Sequence, residues 1–168
     1  SPKSPVSESV RLLRTNLAFL NGRKKNQVIL MTSAAPGDGK SWVTANLAIA
    51  YAQANKKVLL VDCDLRKGRQ HKIFDIENDK RYGLSNLLMN ENLASVVKKY
   101  IVPTSIKNLS LLPTGIFPSN PSELLASEKM RSLVEILKIY YDVIIFDCPP
   151  LTGLNDALIV SSYADASI

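Results

Sequence analysis

The residues best suited to chemistry in this chain are Lys40 and Ser41, which end a turn rich in glycine and proline. An apolar run, residues 28–31, leads into the turn. Glycines there let backbone N–H groups converge on an anion, and the positive end of a following helix points to the same place. Lys40 would reach the β- and γ-phosphates of a nucleotide, and the Ser41 hydroxyl would bind Mg²⁺. The predicted nucleotide contacts are Pro36, Gly37, Asp38, Gly39, Lys40, Ser41 and Trp42.

One position departs from the general pattern of phosphate-binding loops, G-x-x-x-x-G-K-[ST]. Ala34 stands where the pattern has its first glycine. Without that glycine, the sequence Gly-Lys-Ser also fits a surface turn that precedes a helix. The acidic residues further along the chain favour the phosphate-binding interpretation.

Three aspartates stand at the ends of two apolar runs: Asp62 and Asp64 after residues 58–61, and Asp147 after residues 143–146. Ligands bind at this carboxyl edge of open parallel sheets, and Mg²⁺ requires hard oxygen ligands. A single aspartate at a strand end could equally cap a turn or a helix. Three aspartates around one loop predict a metal–nucleotide site, to which they supply oxygens directly or through water.

The identity of the nucleotide base follows from a missing element. Guanine is commonly read by an Asn-Lys-x-Asp sequence, which this chain lacks. The nearest match, residues 55–58, fails at its last position, where Val58 replaces the aspartate. The sequence therefore favours ATP over GTP.

The elements that position these residues alternate between continuous apolar runs and amphipathic segments. Continuous apolar runs are typical of parallel strands buried on both faces. The predicted strands are residues 28–31, 58–61, 109–113, 143–146 and a run that starts at 166. The predicted helices are residues 8–20, 40–54, 84–89, 93–99, 127–140 and 156–163. The predicted fold class is α/β, a three-layer P-loop NTPase fold with a mostly parallel central sheet flanked by helices.

The first predicted helix carries two different faces. Its apolar stripe consists of Val10, Leu13, Leu17 and Leu20, and Ser7 is its expected N-cap. Glu8, Arg11 and Arg14 form a charged band on a neighbouring face, each about 60° from the last. Such a band is usually a solvated helix face with an i,i+3 ion pair.

Composition narrows the class of protein. The 168 residues suit one domain with a real core, and the net charge of +6 is concentrated in residues 1–81. No nucleic-acid-reading motif accompanies that charge, so a nucleic acid partner is not expected. No apolar stretch approaches the roughly 20 residues of a membrane span, and no signal peptide is recognisable, which predicts a cytoplasmic location. Cys63 and Cys148 are interpreted as small, partly buried fillers rather than a disulfide.

Four segments together resemble the bacterial protein-tyrosine kinases, a P-loop family, unrelated to the eukaryotic kinases, that governs capsule and exopolysaccharide synthesis. They are a Glu-x-x-Arg-x-x-Arg element at residues 8–14, the loop at 34–41, and two further nucleotide motifs at 58–66 and 143–150. The acidic strand ending in Asp-Leu-Arg, joined to the N-terminal element, is the specific part. The resemblance implies an ATP-dependent, autophosphorylating protein-tyrosine kinase made of a single domain over residues 1–168.

The resemblance also assigns roles to individual residues. It implies that Asp64 orients and helps to deprotonate the incoming tyrosine, while Lys40 offsets charge on the γ-phosphate. It implies that Asp62 and Ser41 bind Mg²⁺ and that Asp147 positions the metal and water. Asp64, Lys40 and Asp62 are therefore the predicted catalytic residues.

The family further implies partners. Its kinase domains form a ring-shaped homo-oligomer through the Glu-x-x-Arg-x-x-Arg helix, which makes Glu8, Arg11 and Arg14 candidate interface residues alongside the solvated-face interpretation. Its activator is the cytoplasmic segment of a membrane polysaccharide co-polymerase, separate or fused, which implies a location at the inner face of the cell membrane. Its substrates are proteins of polysaccharide synthesis and its own tyrosine-rich C-terminal tail. That tail is not in this chain, so we expect a domain shortened at its C-terminus.

An alternative class remains open. The partitioning and septum-positioning ATPases, similar to ParA and MinD, are switches that bind a membrane, DNA or a protein partner without phosphorylating it. They place a second lysine early in the loop, whereas this chain has Ala35 there. The sequence therefore favours the kinase.

Overall fold

The computed structural model describes residues 4–22, 24–152 and 155–168. Its strands are β1 (Gln27–Met31), β2 (Val58–Asp62), β3 (Val102–Pro103), β4 (Leu109–Leu112), β5 (Val143–Asp147) and β6 (Ala166–Ser167). Its helices are α1 (Pro5–Asn21), α2 (Lys40–Gln53), α3 (Gln70–Ile73), α4 (Leu84–Leu88), α5 (Leu93–Tyr100), α6 (Pro121–Leu125), α7 (Glu128–Tyr140) and α8 (Asp156–Ser161).

The strands form one six-stranded sheet in the order β3-β4-β2-β5-β1-β6. Every pairing is parallel except that of the edge strand β3 with β4. All residues of β1, β2 and β5 are buried, which is why these strands are continuously apolar rather than alternating. The predicted α/β class with a mostly parallel central sheet is confirmed.

Helices pack against both faces of the sheet, and on each face a separate apolar core lies between the helices and the strands. On one face, Leu17 of α1 and Leu47 of α2 pack with Ile29 and Ile145. On the other face, the buried side chains of α4, α5, α7 and α8 pack with residues such as Phe146. The molecule therefore has the three layers expected from the sequence.

The start of α1 differs from the expectation. The helix begins at Pro5, and Ser4, not Ser7, is its N-cap, accepting a hydrogen bond from the Ser7 backbone N–H at 3.2 Å. Proline suits the first helical position because its fixed φ is already helical and its missing N–H would be unpaired there. Leu20, predicted to face inward, is 80% exposed, whereas Leu17 is buried.

Three short elements have no counterpart among the predictions: α3, α6 and β3. Each has at most five residues, too few to show a hydrophobic period. The two cysteines also differ from the expectation, since both are fully buried and free rather than partly buried. In the described part of the chain, no helix combines the length and apolarity needed to cross a bilayer.

Candidate active site

The loop between β1 and α2 is built to face an anion. Gly37 and Gly39 have φ of 86° and 74°, values that favour glycine. Gly39 is the N-cap of α2, and no side chain caps the helix there. The first N–H groups of α2 are thus not bonded by a capping side chain, and the helix dipole adds positive potential. Ala34 does not have positive φ, so the glycine of the general pattern is not required at that position.

The loop also holds its own shape. The Asp38 carboxylate accepts a hydrogen bond from the Ala35 backbone N–H at 3.1 Å, and the Ser33 hydroxyl donates to the Ala35 carbonyl at 2.9 Å. Asp38, predicted as a nucleotide contact, therefore also shapes the loop. The exposed Trp42 side chain is on the first turn of α2, directly after the loop.

The carboxyl ends of β2 and β5 bring two buried carboxylates together. Asp62 and Asp147 are register partners on these neighbouring parallel strands. The Lys40 ammonium group donates a hydrogen bond to Asp147 Oδ1 and forms an ion pair with it. The Ser41 hydroxyl lies 3.5 Å from the same ammonium group. The structure thus brings together four of the residues that the sequence placed around one metal–nucleotide site.

The environment of the Asp62 carboxyl at this edge of the sheet strongly perturbs its ionisation. Burial and, after it, the negative charge of Asp147 raise the pKa of the Asp62 carboxyl to about 8. A backbone hydrogen bond of 3.0 Å from the Gln70 N–H opposes that shift. Two buried carboxylates side by side disfavour ionisation of both, and a bound cation would remove that penalty.

Asp64 has a different environment because it follows β2 and is only half-buried. Its Oδ1 accepts hydrogen bonds from the backbone N–H groups of Arg66 and Lys67 at 3.2 and 2.9 Å. Among the described residues, none bonds to Oδ2. These two contacts fix the carboxylate and leave one oxygen for a ligand.

Gln70, which the sequence analysis missed, connects α2, the helix that follows the phosphate-binding loop, to both buried carboxylates. Its side-chain Nε2 donates to the Ser41 carbonyl at 2.8 Å and to Asp147 Oδ2 at 2.7 Å. Its backbone N–H bonds to Asp62, and its side-chain Oε1 is buried without a partner in the described part of the chain. A glutamine eight residues after an aspartate belongs to no motif, so no sequence signal could have found it.

The phosphate-binding loop, Lys40, Ser41 and Asp64 line one open cavity of about 630 Å³, whereas Asp62, Asp147 and Gln70 are buried and are not part of its surface. Its floor is the loop and the start of α2, including Lys40 and Ser41, and Asp64 lies in its wall. The segment after β2 and the residues following β5 close the remaining sides. The cavity is large enough for a nucleotide together with part of a second substrate.

The donor set fits a magnesium ion that is held mainly by a nucleotide. Within residues 4–22, 24–152 and 155–168, no cluster of three or more histidine, cysteine or acidic side chains could hold a metal alone. Mg²⁺ at phosphate sites commonly takes one or two protein oxygens and completes its shell with phosphates and water. Ser41, Asp62 and Asp147 provide such oxygens, and the unpartnered Gln70 Oε1 could accept from a water.

The three residues predicted at an oligomer interface have different environments. Glu8 and Arg11 are exposed, and Arg11 lines a small cavity of about 240 Å³ between α1 and α2. Arg14 is half-buried, and its Nη1 donates a hydrogen bond to the Ala50 carbonyl of α2 at 3.0 Å. Arg14 therefore joins two helices of its own chain, which the sequence did not indicate.

The loop, the paired carboxylates and the sheet order define a P-loop nucleotide-binding domain, a fold that implies a nucleotide and a divalent metal. The AAA domain family matches residues 26–165. Tyrosine-protein kinase YwqD of Bacillus subtilis is 41% identical over 167 residues, which are 99% of this chain and 68% of YwqD. On this identity and coverage, the chain belongs to the family of bacterial tyrosine-protein kinases.

Solved structures agree with that assignment. The kinase domain of Escherichia coli tyrosine kinase ETK has a TM-score of 0.90 and 36% identity, over 99% of this chain and 63% of that one. The chimerical protein CapA2B2 has a TM-score of 0.89 and 43% identity, over 98% of this chain and 70% of that one. The chain thus spans about two thirds of these structures.

The alternative class, the partitioning and septum-positioning ATPases, is less similar to this chain. The septum site-determining protein MinD of Pyrococcus horikoshii has a TM-score of 0.67 and 24% identity, over 84% of this chain and 56% of that one. A likeness of this size shows the shared fold alone.

Proposed function

We propose that residues 1–168 form the catalytic domain of an ATP-dependent protein-tyrosine kinase that phosphorylates itself and proteins of capsule or exopolysaccharide synthesis. One observation carries the proposal: Asp64 lies in the wall of the same cavity that has the phosphate-binding loop as its floor. A base and a γ-phosphate binding site within one cavity support phosphoryl transfer rather than nucleotide binding alone.

The transfer follows from the roles of the surrounding groups. A tyrosine hydroxyl has a pKa of about 10 and is a weak nucleophile at neutral pH. Asp64 accepts the phenol proton as the tyrosine oxygen forms a bond to the γ-phosphorus. The bond from that phosphorus to the β–γ bridging oxygen breaks, and ADP leaves with the electron pair. Lys40 moves from Asp147 to the γ-phosphate and offsets its charge.

The proposed metal is Mg²⁺, held by Ser41, Asp62 and Asp147 together with ATP. When bound, the ion supplies positive charge to the β- and γ-phosphate oxygens. The protein's contribution is to keep two carboxylates adjacent and buried, with Gln70 fixing the orientation of Asp147. Pro36, Gly37, Asp38, Gly39 and Trp42 complete the proposed nucleotide contacts.

The cellular setting is the part of the proposal that rests on the family. The kinase domain works as a ring-shaped homo-oligomer with Glu8, Arg11 and Arg14 at the contact between subunits. It acts at the inner face of the cell membrane, where the cytoplasmic segment of a polysaccharide co-polymerase, separate or fused, activates it. The exposure of Glu8 and Arg11 supports their place in this contact.

The test is phosphotyrosine formation by the protein incubated with Mg-ATP and a tyrosine-containing peptide. Lys40→Met should remove the signal, because the ammonium group that the loop places for the γ-phosphate is lost. Lys56→Met is the matched control, since Lys56 is exposed and precedes β2 at the opposite edge of the sheet. An undiminished signal with Lys40→Met would overturn the proposal.

A further inference from the structure

Three cations on one wall of the cavity have no acidic partner in the described part of the chain. Lys67, Arg69 and Lys72 are exposed, and none of them forms an ion pair there. Arg66, in the same segment, is different because it pairs with the buried Asp156 at 3.3 Å. Uncompensated cations around a concave site raise the local concentration of anionic ligands. We define Lys67, Arg69 and Lys72 as the basic wall.

The basic wall adjoins the proposed base. The Lys67 backbone N–H donates to Asp64 Oδ1 at 2.9 Å, so the backbone of the first residue of the wall is fixed next to that carboxylate. Lys67, Arg69 and Lys72 all line the cavity that contains the phosphate-binding loop. A chain that presents a hydroxyl to Asp64 therefore lies close to this wall.

Apolar surface accompanies the charge in the same cavity. Trp42 is 51% exposed and Ile73 is 40% exposed, and both line it. Such surface suits the ring of a tyrosine, whereas the neighbouring cations suit carboxylates. The triphosphate does not account for the wall, because its charge is met by the loop N–H groups and Lys40.

We infer that the basic wall binds acidic residues beside the acceptor tyrosine, so that the preferred substrates are tyrosines in segments rich in aspartate and glutamate. The inference rests on the proposed kinase function and adds the substrate class. Exposed ion pairs are individually weak, and three of them together correspond to about a tenfold preference. The preference falls with rising salt, since the groups are solvated.

Steady-state kinetics with three peptides test the inference. The peptides carry one tyrosine flanked by glutamates, by serines or by lysines. The glutamate peptide should have a KM about tenfold below that of the serine peptide at low salt, and the lysine peptide should be the poorest. A triple variant, Lys67→Gln with Arg69→Gln and Lys72→Gln, should equalise the glutamate and serine peptides, with the KM for ATP changed far less.

The chain offers a control of equal charge. Lys25, Lys56 and Lys107 are exposed and precede β1, β2 and β4 at the opposite edge of the sheet. Changing these three to glutamine removes the same net charge and should keep the tenfold preference. Equal KM values for the glutamate and serine peptides in the unmodified protein would overturn the inference.

A binding measurement separates this inference from the proposed function. Trp42 is the only tryptophan of the chain and lies in the cavity, so its fluorescence reports on bound peptide without turnover. The ADP-loaded protein should bind the glutamate peptide about tenfold more tightly than the serine peptide, and the triple variant should not discriminate. Equal affinities overturn the inference even if tyrosine is phosphorylated. Absence of phosphotyrosine on every peptide, with the binding preference intact, instead overturns the proposed kinase function.

Discussion

The side chain of Gln70 donates a hydrogen bond of 2.7 Å to Oδ2 of Asp147, the oxygen that Lys40 does not use. Both oxygens of this buried carboxylate therefore have donors. In the proposed nucleotide complex, where Lys40 turns to a phosphate, the Gln70 hydrogen bond would keep Asp147 in place. Groups that orient a metal ligand in this way typically change metal affinity 10- to 100-fold when they are removed.

Gln70→Leu should raise the Mg²⁺ concentration needed for tight ADP binding by about tenfold, because Asp147 loses its fixed donor. ADP binding without Mg²⁺ should change far less, because Gln70 does not line the cavity and bonds the Ser41 carbonyl rather than an N–H group that faces the phosphates. Titration of Mg²⁺ followed by Trp42 fluorescence measures both quantities. Gln53→Leu, at the exposed end of α2, is the control. An unchanged Mg²⁺ requirement would show that Gln70 does not orient the site.

Gly39→Ala should destabilise the protein by about 1–3 kcal/mol, because φ of 74° is strained for any residue with a Cβ. It should also weaken ADP binding, because Gly39 sets the direction of the first N–H groups of α2. Gly22→Ala provides the comparison, since Gly22 has φ of 61° at the end of α1, away from the loop. Thermal unfolding and ADP titration of both variants separate the effects. Equal ADP affinity in the two variants would contradict the role of Gly39.

Arg14→Ala and Arg11→Ala should behave differently. Arg14→Ala removes a half-buried hydrogen bond between α1 and α2 and should lower the free energy of unfolding by about 1–2 kcal/mol. Arg11→Ala should leave stability within about 0.5 kcal/mol, because Arg11 is exposed. If the proposed interface exists, Arg11→Ala should shift light-scattering mass toward the monomer. A mass distribution that does not move would exclude Arg11 from the interface.

Asp165 is expected to make stability depend on pH. Burial raises the pKa of its carboxyl, but hydrogen bonds from Lys24 and from the Val28 N–H outweigh burial and hold the pKa below 3.8. Such a group stabilises the folded protein above pH 3.8, and that contribution is lost as the pH falls through the lower, folded-state pKa.

Asp165→Asn should therefore lower the free energy of unfolding by about 1 kcal/mol at pH 7 and by much less at pH 2.5. Urea unfolding at the two pH values measures the difference. Glu91→Gln, at an exposed position, should show no such dependence on pH. An equal decrease in the free energy of unfolding at both pH values would contradict the lowered pKa of Asp165.

Local sequence patterns were enough to predict most of the strands and helices and part of the candidate site. The strands with Asp62 and Asp147 at their ends were predictable because a parallel sheet buries its central strands on both faces and so leaves a continuous apolar run. The approach of Lys40 to these carboxylates followed from the common edge of the sheet.

The contacts that the sequence did not indicate are polar side-chain contacts between segments far apart in the chain. Gln70 reaches Asp147 across 77 residues, and Arg14 reaches Ala50 across 36. Their side chains are polar and could equally have been solvated, so only the packed chain decides their partners. The four-residue α3 that carries Gln70 is likewise too short for a pattern.

The most direct test of the account is transfer of the γ-phosphate from labelled Mg-ATP to a tyrosine peptide by the unmodified protein and by Asp64→Asn. The amide keeps the size of the side chain and the acceptor oxygen for the Arg66 and Lys67 N–H groups, but cannot take the phenol proton. We predict that phosphotyrosine formation falls at least 100-fold while ADP affinity stays within about threefold. Transfer at the unmodified rate by Asp64→Asn would contradict the assignment of Asp64 as the base.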